Sequence, residues 1–108
     1  MNYTFHLRPE LLEDAKLAFQ WYEDASTGLG HEFLRCHFAA LAAIRRQPLI
    51  YRKVYGNFRR ILLGRFPYAI YFRIEREEIV VYLLVHCARN PAFLRRSLRE
   101  RRKGGDAK

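Results

Sequence analysis

The segment from residue 58 to residue 91 constrains the fold more than any other part of this sequence. It contains three short runs rich in β-branched and aromatic residues, namely Phe58–Leu63, Tyr68–Ile74 and Ile79–His86. Such runs are typical of β-strands. The breaks between them, residues 64–67 and 75–78, are too short for a crossover helix, so the strands should be antiparallel neighbours. We therefore predict a three-stranded antiparallel meander.

Two amphipathic helices are predicted before the meander. The first starts at Pro9, a residue suited to the first helical position, and its apolar residues recur every three or four positions to about Ala25. The second runs from Leu29 or His31 to Gln47. Because the link between them is short, the helices should form an antiparallel hairpin that covers one face of the sheet. The other face is expected to stay open.

The remaining segments complete an α+β domain that spans residues 1–103. Asn2–Leu7 is predicted to be a first strand that pairs with the meander, and Leu49–Asn57 to be a connector. A last helix should run from Ala92 to about Lys103, and residues 104–108 should be disordered. The predicted fold is an antiparallel sheet of about four strands, with an N-terminal helical hairpin on one face and a short C-terminal helix.

The charge is distributed unevenly along the chain, which has a formal net charge of +9. Residues 1–50 contain five Lys and Arg against six Asp and Glu, whereas residues 51–108 contain fifteen against five. The whole basic excess therefore lies in the half that contains the strands. This asymmetry favours an acidic partner, which can be nucleic acid, an acidic protein segment or both.

Membrane and metal functions are not expected. No apolar run approaches the ~20 residues of a membrane span, and the N-terminus lacks the basic-then-apolar layout of a signal peptide. Cys36 and Cys87 match no zinc or redox spacing. We therefore expect a cytoplasmic protein with no membrane association, metal or cofactor.

A set of short motifs resembles the RelE/ParE toxins of bacterial type II toxin–antitoxin modules, which are also labelled plasmid stabilisation proteins. The motifs, in chain order, are WYE (21–23), GLG (28–30), EFL (32–34), Pro48 with Tyr51, FRR (58–60), RFPYAIYF (65–72) and HCARNP (86–91). Members of this family often carry a tryptophan where this chain has Leu94. The resemblance implies a strand, a helical hairpin and a meander. It also implies a toxin that is neutralised in a hetero-oligomer by an antitoxin with an acidic, partly disordered segment.

The resemblance extends to two kinds of activity. RelE-like members cut mRNA on the ribosome, whereas ParE-like members act on DNA gyrase. In the ribonuclease branch an arginine follows the aromatic residue that opens the middle strand, but here Ala69 follows Tyr68. The resemblance therefore favours a ParE-like gyrase inhibitor, which binds its target and is not an enzyme. The alternative is an mRNA endoribonuclease, for which His86 and Arg65 are the catalytic candidates and Arg73 is another substitute for the missing cation.

Basic and aromatic residues of the second half are the predicted contacts for the target or the antitoxin. They are Arg59, Arg60, Arg65, Tyr71, Arg73, Arg89, Arg95 and Arg96. Because Arg59 and Arg60 are adjacent in a strand, their side chains should point to opposite faces. Three alternatives stay open. His86 is either an acid or base or a strand-end histidine bonded to the backbone, Arg89 either contacts a partner or holds the last helix, and Trp21 either packs in the hairpin or anchors a partner.

Overall fold

The computed structural model describes residues 2–106 and forms one mixed five-stranded sheet with three helices. The strands are β1 (Thr4–Leu7), β2 (Lys53–Tyr55), β3 (Phe58–Leu62), β4 (Tyr68–Glu75) and β5 (Glu78–His86), and the helices are α1 (Pro9–Ala25), α2 (Leu29–Arg46) and α3 (Pro91–Asp106). Their order across the sheet is β1-β5-β4-β3-β2. β1 is parallel to β5, and the other neighbouring strands are antiparallel.

The helical hairpin and the meander are confirmed, but the prediction of about four antiparallel strands is wrong. β2 adds an edge strand within the predicted connector Leu49–Asn57. β1 and β5 are separated by both helices and three strands, so no tight turn forces them to be antiparallel, and they pair in parallel. α3 extends three residues beyond its predicted end at Lys103, and residues 107 and 108 of the predicted tail lie outside the described residues.

α1 and α2 pack on one face of the sheet and enclose the main core. Its fully buried side chains include Phe33, Ile44 and Phe72, each of which stabilises the fold by about 1.5–3 kcal/mol through burial. The two helices approach closely at Gly30, where an added Cβ would lie 2.7 Å from the carbonyl oxygen of Phe19. The hairpin therefore requires glycine at this position.

α3 covers the second face of the sheet, so the prediction of an open face is wrong. The apolar residues that α3 contributes are Phe93, Leu94 and Leu98. They pack with Tyr71 and Tyr82, which are only 4% and 3% exposed. A β-bulge opposite Tyr71 directs both Tyr82 and Leu83 towards α3. The uninterrupted apolar run of residues 79–85 fits a strand that is buried on both faces.

An ion pair, here named the Asp14–Arg101 clamp, joins α3 to α1 beside β5. Arg101 Nη1 lies 2.6 Å from Asp14 Oδ2, and Arg101 Nη2 lies 2.9 Å from Asp14 Oδ1. Arg101 also donates to the Tyr82 carbonyl at 2.9 Å, and Asp14 accepts the Leu84 N–H at 3.1 Å. Since β1 pairs only with residues 78–81 of β5, the clamp satisfies backbone groups that no strand reaches.

Within residues 2–106 there is no helix with the length and apolar character needed to cross a membrane.

Candidate functional site

Four of the predicted site residues line one small hollow between the sheet and the start of α3. Arg60 comes from β3, Tyr71 from β4, His86 from the end of β5 and Arg89 from the turn that follows. Arg60 Nη1 lies 3.5 Å from the Tyr71 hydroxyl oxygen. The volume of the hollow is about 40 Å³, far below the ~300 Å³ at which ordinary ligand pockets begin. The hollow therefore offers a cationic surface and not an enclosed substrate pocket.

His86 is held at the end of β5 by local contacts. Its Nδ1 accepts the N–H of Ala88 at 3.0 Å, and its ring packs edge-on against Tyr68 with 5.2 Å between the ring centroids. The interpretation of His86 as a strand-end histidine bonded to the backbone is thus confirmed. The bond to Ala88 places the proton of the neutral ring on Nε2, which remains for any further contact.

Arg59 and Arg65 both have partners within the chain. Arg59 Nη1 donates to the Tyr51 carbonyl at 2.7 Å and so fixes the segment after α2. Arg60 instead lies on the α3 side, which confirms that the two neighbours point to opposite faces. Arg65 forms an ion pair with Glu32 of α2, but 62% of its side chain stays exposed. Arg65 therefore remains available at the surface, whereas Arg59 has a structural contact.

Arg73 and Arg89 each stack on an aromatic ring. The guanidinium of Arg73 lies 5.2 Å from the centroid of the Phe58 ring, and its Nε lies 3.3 Å from a carboxylate oxygen of Glu75. The guanidinium of Arg89 lies 3.8 Å from the centroid of the Phe93 ring. Arg89 is exposed and contacts α3, so it both supports the last helix and presents its charge to solvent.

Arg95 and Arg96 project from α3 into solvent. Both are exposed, and neither side chain forms a hydrogen bond or an ion pair with another residue of the described range 2–106. They are therefore surface charges and not part of the hollow at the start of α3.

A larger groove, here named the β5-edge groove, follows the uncovered edge of β5 between α1 and α3. Its volume is about 430 Å³, and its walls include Leu17, Trp21, Phe93 and Arg89. Leu17 and Trp21 are 66% and 72% exposed, so Trp21 does not pack within the hairpin. Exposed apolar groups of this size beside an open strand edge are typical of a protein-binding surface.

A second apolar groove, here named the hairpin groove, lies between α1 and α2 near the end of β1. It has a volume of about 510 Å³, and its rim includes Leu7, Leu12 and Phe38. His37 lies at the bottom of this groove. Burial lowers the pKa of its imidazole, and the nearby Asp14 carboxylate raises it by a smaller amount.

Neither groove was predicted from the sequence, although the spacing of apolar residues in α1 contains the signal. Leu12 and Leu17 fall outside the buried series Leu11, Ala15 and Ala18. Two leucines on the solvent side of an amphipathic helix indicate a surface that a partner can cover.

No group of three or more His, Cys, Asp or Glu side chains in the part of the chain that the structure describes is arranged to hold a metal ion.

One family model matches most of the chain, and one solved structure is similar in fold. The family model described as the ParE toxin of type II toxin–antitoxin system, parDE, matches residues 5–91, from β1 to the start of α3. Among solved structures, a chain of the chromosomal ParDE TA system from P. aeruginosa is similar, with a TM-score of 0.68 and 12% sequence identity. The alignment covers 78% of this chain and 95% of that chain, and at this identity it shows the fold alone. No curated protein sequence matches the chain.

Proposed function

Because the chain belongs to the ParE toxin family of type II toxin–antitoxin systems, we propose that it arrests bacterial growth by binding DNA gyrase and that a cognate antitoxin neutralises it. Its mechanism is occupancy, in which the bound toxin blocks the gyrase cycle without cutting RNA. The observation that carries this proposal is Ala69, which stands where the ribonuclease branch has an arginine. Its side chain is 2% exposed and lines the small hollow, so the position supplies no charge to the surface.

The contacts of the catalytic candidates also support binding over catalysis. Cleavage of RNA needs a base for the 2′-hydroxyl and a cation for the phosphorane charge. His86 already accepts a backbone N–H through Nδ1, and Arg65 already pairs with Glu32. In this arrangement the neutral ring of His86 has no free lone pair with which to act as the base, and the charge of Arg65 is shared with Glu32.

A supercoiling assay with purified gyrase, relaxed plasmid and purified toxin tests the proposed target. We expect the toxin to inhibit supercoiling, and we expect R60Q/R89Q to inhibit much less, because both cations lie at the hollow. R35Q/R46Q is the matched control, since it removes the same charge from exposed positions of α2. Undisturbed supercoiling at an excess of wild-type toxin would rule out gyrase as the target.

The second candidate function is ribosome-dependent cleavage of mRNA. It is favoured by one observation, the presence of two arginines, a tyrosine and His86 around one hollow. Primer extension on a translated message decides between the two functions. We expect no new 5′ ends. New ends that vanish in H86Q would instead assign the ribonuclease activity to this chain.

We assign the β5-edge groove to the antitoxin. An extended segment with apolar and acidic residues can lie in this groove, where β5 lacks a strand neighbour on the β1 side. The clamp already binds the Tyr82 carbonyl and the Leu84 N–H, so side-chain contacts and not strand pairing would hold the segment there. Its apolar side chains would pack on Leu17 and Trp21, and its carboxylates would meet Arg89. The hairpin groove lies on the opposite side of α1, so an antitoxin that crosses α1 would cover both apolar surfaces.

Calorimetric titration of toxin variants with the antitoxin encoded beside the toxin gene tests this assignment. W21A should weaken binding by about 30-fold, because a central tryptophan anchor typically contributes about 2 kcal/mol or more. Q20A, which changes the neighbouring exposed residue of α1, is the control and should bind normally. The affinity for the antitoxin should also fall as the salt concentration rises. Because apolar contacts are not screened by salt, part of the affinity should remain at high salt. Equal affinities for W21A and Q20A would exclude the β5-edge groove.

A further inference from the structure

Three cations form a stripe along the solvent side of α3. They are Arg95, Arg99 and Lys103, which recur at intervals of four residues and are exposed. At 1.5 Å per residue they lie about 6 Å apart along the helix axis. None of their side chains forms a hydrogen bond or an ion pair with another residue within 2–106. We call this set the α3 stripe.

The α3 stripe leads into a cationic hollow where the end of α3 meets the turn between β2 and β3. This hollow, here named the turn hollow, has a volume of about 540 Å³. Its lining residues are Tyr55, Gly56, Asn57, Phe58, Arg73, Arg99, Arg102 and Lys103. Four of the eight are cationic and none is acidic. The parallel rings of Tyr55 and Phe58, 6.1 Å apart, form one wall.

The contacts that anchor α3 to the sheet do not involve the charges of the α3 stripe. The helix is anchored by its apolar side, with Leu98 fully buried, and by the Asp14–Arg101 clamp. Like charges four residues apart on a helix destabilise it by about 0.2–0.5 kcal/mol per pair. A negatively charged partner that contacts several of these cations at once would neutralise this repulsion. The α3 stripe therefore fits a partner whose negative charges repeat at regular intervals.

The chemistry around the stripe distinguishes between two kinds of anionic partner. An acidic peptide usually adds apolar anchors to its charge, but the large exposed hydrophobic side chains of the described residues all lie outside α3. A phosphodiester backbone carries evenly spaced negative charges and binds without an apolar contact surface. Nucleic acid therefore fits the stripe and the turn hollow better than an acidic polypeptide does.

We propose that the α3 stripe and the turn hollow bind the phosphate backbone of duplex DNA. The choice of DNA over RNA rests on the proposed gyrase target, since gyrase acts on DNA. The toxin then contacts the DNA through α3 and the enzyme through other surfaces. The contact carries no base specificity, because backbone contacts set position and not sequence.

Fluorescence anisotropy with a labelled DNA duplex of arbitrary sequence tests the proposal on the full-length toxin. The test variant is R95Q/R99Q/K103Q, in which glutamine keeps a good helix propensity. The control is K16Q/R35Q/R46Q, which removes three exposed cations from the helical hairpin. Circular dichroism of both variants establishes that they are folded before binding is measured.

The salt dependence gives the expected magnitude. Each phosphate contact contributes about 0.9 to the slope of log K against log salt, so loss of three contacts should lower the slope by about 2.7. Between about 50 and 200 mM salt, the wild-type affinity should therefore fall by about 40-fold more than that of the test variant. The control variant should keep the wild-type slope.

Three results would overturn the proposal: equal slopes for the test and control variants, no DNA binding by the wild type, or equally strong competition by polyglutamate of matched charge. The last result would assign the α3 stripe to an acidic polypeptide.

A labelled RNA duplex of the same length should bind no more tightly than DNA, and stronger binding of RNA would refute the choice of DNA. If the wild type binds DNA but leaves supercoiling unchanged, the gyrase target fails while DNA binding by the stripe is supported. If it inhibits gyrase without binding DNA, only the stripe proposal fails.

Discussion

The Asp14–Arg101 clamp gives a direct test of how the last helix is held on the sheet. In D14A, the guanidinium of Arg101 loses both carboxylate contacts, and the N–H of Leu84 loses its acceptor. The side chains of Asp14 and Arg101 are 14% and 19% exposed. Water can therefore compensate for only a small part of the loss.

The expected magnitude lies between two known limits. Removing one partner of a fully buried ion pair costs about 3–5 kcal/mol, whereas exposed pairs contribute about 0–1 kcal/mol. Because more than four-fifths of each side chain is buried, we expect D14A and R101M each to lower the free energy of unfolding by about 3 kcal/mol. For a domain of this size that corresponds to a decrease of about 12 °C in Tm.

Urea unfolding followed by circular dichroism measures these changes, with the double variant D14A/R101M completing a thermodynamic cycle. The double variant should be less destabilised than the sum of the single variants by at least about 1 kcal/mol, because the second change removes a charge that the first left unpaired. R99M is the control for loss of an exposed arginine and should change stability by less than about 0.5 kcal/mol. Additive effects, or single variants as stable as R99M, would show that the clamp does not hold α3.

The remaining predictions concern the surface charges, the buried histidine and the helix contact. R60E and R65E should each weaken antitoxin binding by about tenfold and reduce toxicity, because each reverses an exposed charge of the basic half. Calorimetry measures the binding and growth assays measure the toxicity. Unchanged binding and unchanged toxicity in one of these variants would refute the site assignment. Burial lowers the pKa of His37, so below about pH 6.5 the unfolded chain binds a proton that the folded chain does not, and stability should fall as the pH decreases. H37F should flatten this dependence in urea titrations between about pH 7 and 5, and an unchanged profile would exclude His37 as its source. G30A should destabilise the fold by about 1–3 kcal/mol through contact with Phe19, and wild-type stability would show that the hairpin can relax there.

The helices and the meander were predictable because their signals are local. The apolar periodicity from Pro9 to Ala25 and the short breaks around β4 depend only on neighbouring residues. The direction of β1 depends on a pairing of Thr4 with Glu78 across most of the chain, and no local pattern encodes it. β2 is only three residues long, and Lys53 and Val54 are exposed, so it lacks the alternation of a half-buried strand.

The main error was the prediction that the second face of the sheet is open, whereas α3 covers it. The prediction placed the helical hairpin on one face of the sheet and no element on the other, although Phe93, Leu94 and Leu98 of the predicted last helix are apolar and recur at helical spacing. The decisive signal was β5, in which no polar residue interrupts the run of residues 79–85. Among the site residues, Arg60 and Arg89 were identified as surface cations, but their meeting at one hollow depends on the register of three strands.

The parallel pairing of β1 with β5 has a consequence for the order in which the protein is built. Residues 4–7 pair with residues 78–81, so each residue of β1 is synthesised 74 positions before its partner (78 − 4 = 74). Pairing across so many positions requires closure of a long loop, which slows folding. The nascent chain therefore keeps residues 4–7 unpaired until residues 78–81 have been synthesised, so β1 joins the sheet only after the helical hairpin and the strands β2, β3 and β4 have been made.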